Sequence, residues 1–68
     1  MIYYKKNDRF RNKNYFYFFK ITDVNVNGYF GILFNRDGNF VADEWVPVSL
    51  MAKYYEKIDI FPWETKDE

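Results

Sequence analysis

Two turn signals, Asn27-Gly28 and Asn35-Arg36-Asp37-Gly38, cut residues 15–46 into three apolar runs, and a chain so punctuated reads as an antiparallel β-meander. Asn-Gly between Val26 and Tyr29 predicts a two-residue hairpin of type I′, because both residues tolerate the positive φ that this turn requires. Arg36-Asp37-Gly38 predicts a three-residue loop with Gly38 in the left-handed region, a register that sets Phe40 opposite Phe34 and Ala42 opposite Ile32. Within the middle run, Phe30, Ile32 and Phe34 share one face, which reads as the core face, and Tyr29, Gly31 and Leu33 share the other. The second face still carries Leu33 and Val41, so it needs a cover of its own.

The flanks are read more coarsely. Residues 1–14 form a basic edge strand or arm: Met1–Lys6 is apolar enough to pair onto a sheet edge, and Asn7–Asn14, with a single aromatic, reads as a loop. A bulge at Asp43-Glu44 would return Trp45 to the core side, and Pro47 ends the strand. Ser49 is a candidate N-cap for a short helix over residues 49–57, whose Leu50, Tyr54 and Ile58 recur on one side. Ile58–Phe61 predicts a last strand, and residues 62–68 an acidic, frayed tail.

The expected fold is therefore one small all-β domain spanning residues 1–68, with four to five strands and one short helix or C-terminal helical turn, either a curved antiparallel meander or a small barrel. The order of a curved meander, a proline, a helical turn and a closing strand is similar to SH3-like small barrels. The ALYDY-type start of eukaryotic SH3 domains is absent, so the resemblance implies an architecture and no binding residues.

A 68-residue domain buries only ~60% of the surface its unfolded chain exposes, and this one contains no cysteine or histidine with which to build a disulfide or a zinc site. Eight Phe, seven Tyr and two Trp must supply the cohesion, and so many rings exceed what a small core can enclose. The surplus is expected on the surface as a site for association. Without histidine or cysteine the usual general base and thiol nucleophile are missing, and three scattered glycines make no phosphate-cradling loop. Asp43 and Glu44, the adjacent carboxylates of the meander, point to opposite faces of a strand. The expected class is a non-enzymatic binding protein, without cofactor or metal.

Formal net charge is zero, yet Lys5, Lys6, Arg9, Arg11, Lys13 and Lys20 against Asp8 give residues 1–20 a net +5, and the remainder carries −5. The two ends either neutralise each other across the fold or leave a basic patch for an anionic partner. Two binding surfaces follow. In the first, Tyr29, Trp45, Tyr54, Tyr55 and Trp63 anchor a protein partner, or a second copy that covers the spare sheet face as a homodimer. In the second, Lys5, Lys6, Arg9, Arg11 and Lys13 hold a nucleic-acid backbone while Phe10, Tyr15 or Tyr17 stacks bases. With no apolar run of the ~20 residues that span a bilayer, and no signal-peptide pattern, the expected setting is the cytoplasm, away from membranes. A composition dominated by Asn, Lys, Ile, Tyr and Phe fits an AT-rich genome. It would suit a phage or mobile-element inhibitor of a bacterial defence system, in the manner of anti-CRISPR proteins.

Overall fold

Each of the first three strands ends on an asparagine whose side chain starts the turn that follows. Asn12 Oδ1 accepts from the amides of Asn14 and Tyr15, Asn25 Oδ1 from those of Asn27 and Gly28, and Asn35 Oδ1 from those of Asp37 and Asn39. A short amide side chain that mimics the next backbone carbonyl lets the chain reverse without leaving donors unpaired. The computed structural model describes residues 4–64. It contains β1 (Arg9–Asn12), β2 (Tyr17–Asn25), β3 (Gly28–Asn35), β4 (Phe40–Pro47), α1 (Val48–Tyr54) and β5 (Tyr55–Ile58), followed by a 3₁₀ turn at Pro62–Glu64. The strands form one curved antiparallel sheet in the order β4-β3-β2-β1-β5.

The all-β meander with one short helix is as expected; several of its parts are not. Residues 9–12, expected as loop, are a strand paired on both sides, with Phe10 facing Phe19 of β2 and Lys57 of β5. Tyr4–Lys6 are not strand, and Met1–Tyr3 of the expected first strand lie outside the described residues. The β2–β3 hairpin exists, but Val26 and Asn27 form its two-residue loop and neither has positive φ. Asn25 holds this turn through its side chain, so the type I′ geometry is not required. Gly38 adopts φ 87° as expected.

Phe34 pairs with Phe40, also as expected, but Val41 bulges, so Ala42 meets Leu33 and Ile32 meets Asp43. A second bulge sits at Thr22. The helix ends three residues early: Pro47 precedes it without a side-chain cap from Ser49, and Tyr55 turns extended to pair with Asn12. The last strand accordingly begins at Tyr55, not Ile58.

The core lies on the face opposite to the one expected. Phe10, Phe19, Ile21, Tyr29, Val46, Met51 and Tyr55 are buried together, with Tyr4, Val24, Leu33 and Val48 packed around them. Phe10 is what the sequence reading lacked: once β1 is central, its ring recruits the Tyr29–Gly31–Leu33 side of β3. Gly31 belongs to this face because a Cβ there would meet the carbonyl oxygen of Lys20 and the ring of Phe19. The Tyr29 hydroxyl is buried without a hydrogen-bond partner among the described residues.

Gly31→Ala should therefore overpack the site and lower stability by about 1–3 kcal/mol in urea unfolding. Tyr29→Phe, which removes an unpaired hydroxyl and keeps the ring, should leave the unfolding midpoint unchanged or raise it.

Candidate functional site: two surfaces and a neutralised arm

The basic arm is largely consumed inside the molecule. Arg9 on β1 donates through Nε and Nη2 to both Glu64 oxygens, at 2.7 and 2.8 Å, and through Nη1 to the Asn7 carbonyl at 2.7 Å. Glu64 Oε1 also accepts from the Phe61 amide at 2.8 Å. These bonds hold the Glu64 carboxyl down at about 2, the Arg9 hydrogen bond being the main cause, and in return raise the Arg9 guanidinium. Arg11 pairs with Glu56 across β1 and β5. Lys5 lies 3.4 Å from Asp8, whose other oxygen accepts from the Lys5 amide. Lys13 Nζ donates to the Ala52 carbonyl, tying the β1–β2 loop to α1. Lys6 is exposed, whereas Phe10, proposed to stack on bases, is wholly buried.

The protein-binding candidates divide as well. Tyr29 and Tyr55 are core residues and cannot anchor a partner: Tyr29 sits on the inner face of β3, and Tyr55 reaches the core because the helix ends before it. Burial pushes the Tyr55 hydroxyl above the usual tyrosine range, with Asn12 acting against the rise and Glu44 adding to it. Trp63 and Glu64, expected in a frayed tail, are fastened to the sheet. Trp63 stacks on Phe61 at 4.6 Å, and both rings lie against Phe18 and Phe34 on the outer face. Its indole also rests over Gly38, where a Cβ would come within 2.7 Å. The chain itself thus supplies a cover for that part of the second face. Thr65–Glu68 of the expected tail lie outside the described residues.

Exposed rings gather mainly in two places. At one end, the β1–β2 loop brings out Tyr15 (67% exposed) and Phe16 (73%), with Tyr17 beside them, and Phe40 is exposed at the start of β4. Tyr17 pairs with Asn35, so this loop lies against the β3–β4 turn, and Arg36 places its guanidinium 5.2 Å from the Phe16 ring centroid. Phe16, Phe40 and Arg36 were not singled out from the sequence. The second place is the outer face near β4, where Trp45 and Phe30 pair at 4.6 Å between centroids. Tyr54 and Leu50 are half-exposed on α1. No helix among the described residues is long and apolar enough to cross a membrane, and none of their acidic side chains gather in a group of three fit to hold a metal ion.

No family model matches the chain, and neither a curated protein nor a solved structure does.

The Arg9–Glu64 pair has a definite pH signature. A carboxylate whose folded value is depressed contributes stability that is complete above its unfolded value near 4.5 and is lost as pH falls towards about 2. Glu64→Gln should cost about 1 kcal/mol at pH 7, a small amount because both partners are part-exposed. Unfolding curves of parent and variant should converge as the pH is lowered to 2.

Proposed function

We propose that this chain is a non-enzymatic binding module whose partner is another protein, engaged through the aromatic loop end. The observation that carries the reading is the gathering of Tyr15, Phe16 and Tyr17, all exposed, beside Arg36 at one end of the sheet. Rings of this kind supply much buried area for little lost rotamer freedom, and Arg is enriched beside them among the residues that dominate binding at interfaces. The loop is already shaped by Asn12 and tied to α1 through Lys13, which lowers the ordering cost of binding. The AT-rich character of the composition favours a phage or mobile-element setting, in which the target would be a bacterial host protein of a defence system.

A nucleic-acid reading draws on Lys13, Tyr15 and Tyr17 at this same end. It is weakened because Arg9 and Arg11 are committed to Glu64 and Glu56.

Replacing Tyr15 and Phe16 together with Ala should leave the unfolding midpoint within experimental error, since both rings are solvated. It should abolish chemical cross-linking of the tagged protein to its host target, while Leu50→Ala leaves that cross-link intact. Cross-linking that survives the double substitution would sink the assignment of this surface. Salt-sensitive binding of a labelled single-stranded oligonucleotide by the parent, lost in the double variant, would replace the protein partner by a nucleic acid.

A further inference from the structure

The outer edge of β4 is open. Among the described residues β4 pairs only with β3, and at the other side of the sheet β5 is just four residues long. Between the bulge at Val41 and Pro47, residues 42–46 offer an edge of about 16 Å whose outward backbone groups meet no further strand among the described residues. Asp43 and Glu44 stand in its middle, and neither belongs to an ion pair among the described residues. Beside them is a recess of about 380 Å³ lined by Thr22, Phe30, Gly31, Asp43, Glu44 and Trp45, with no lysine or arginine in its wall. Phe30 and Trp45 keep 44% and 39% of their surface open to solvent there, whereas Phe18 and Phe34 on the same face are covered by Phe61 and Trp63.

These features select one kind of occupant. A second copy of this strand, paired antiparallel about Asp43-Glu44, would set like charges opposite each other. A nucleic acid would meet two uncompensated carboxylates. We propose that the β4 edge binds an extended basic segment of a partner protein, which adds as a strand beside residues 42–46 and lays a lysine or arginine side chain on the Phe30–Trp45 rings next to Asp43. Backbone pairing supplies the register, the aromatic pair receives the cation on its ring faces, and the two carboxylates, on opposite sides of β4, select positive residues at successive positions of the segment. The surface is separate from the aromatic loop end, so the inference stands whether or not that end binds a protein.

The test is a titration of isotope-labelled protein with an acetylated, amidated hexapeptide that carries two successive arginines between pairs of valines, followed by amide chemical shifts, with the same hexapeptide carrying two glutamates instead as control. Saturable shifts centred on residues 42–46 are expected with the arginine peptide alone. Asp43→Asn with Glu44→Gln, near-isosteric changes at a solvated strand, should weaken binding at least tenfold, and Trp45→Ala should do likewise. Phe16→Ala at the far end should leave the affinity unchanged. No saturable shift at the edge, equal binding of both peptides, or affinity that survives the double amide substitution would overturn the proposal. So would concentration-dependent shifts of the same amides without peptide, which would give the edge to a second copy.

Discussion

The structure hangs on β1, a four-residue strand that joins the beginning of the chain to its end. It is paired to β2 on one side and β5 on the other, and it drives Phe10 into the middle of the core against Phe19 and Tyr4. Without it the meander β2-β3-β4 would be a three-stranded sheet with an apolar face open to water, and β5 would have no strand to pair with. A domain of 68 residues has little stability to spare. Closing the sequence ends onto one strand is how this one gathers enough buried ring area into a single cluster.

The same strand resolves the separation of charge along the chain. Its outward arginines, Arg9 and Arg11, alternate with Phe10 and meet Glu64 and Glu56 from the acidic half. Of the two readings open to a chain with a basic start and an acidic remainder, mutual neutralisation is the one realised at these positions. The energetic gain of each exposed pair is small, but the Arg9–Glu64 contact has a positional consequence. It fixes the 3₁₀ turn against the sheet, so that Phe61 and Trp63 cover Phe18 and Phe34 on a face that the core does not use. Gly38 leaves the room for that indole while also meeting the left-handed backbone of its own turn.

How much of this was legible depended on whether a local pattern carried the information. The meander was, because turn residues and apolar runs are local signals; so was the Phe34–Phe40 pairing, set by the Asn35–Gly38 turn. β1 was not, because Arg-Phe-Arg-Asn holds a single apolar residue and one of its two partners, β5, lies far along the chain, where no periodicity can reveal it. Losing β1 inverted the sheet: with Phe10 left in a loop, the side of β3 that carries Phe30, Ile32 and Phe34 looked like the core. Tyr29 and Tyr55 were misplaced for the same reason. The strand-ending asparagines were partly readable, since Asn25 and Asn12 precede residues that could turn. Asn-Gly was the more conspicuous signal, and its glycine proved to serve another need: a Cβ at Gly28 would meet Val46 and Trp45.

Once the arm is neutralised, the groups left over sort by place. Arg36 stands with Phe16 among rings at the loop end, whereas Asp43 and Glu44 stand with Phe30 and Trp45 at the β4 edge. The edge is also the strand most exposed to unwanted pairing, and it carries three of the devices that limit it: a bulge, a proline and a pair of like charges. The bulge and the proline restrict how long a pairing can be, while the charges restrict which strand can make it. An edge protected only against association would gain nothing from keeping Phe30 and Trp45 open beside those charges, because exposed rings invite the contact that the charges discourage. Together they discourage self-pairing and leave a cationic strand as the favoured neighbour, so protection and recognition at this edge rest on the same two carboxylates.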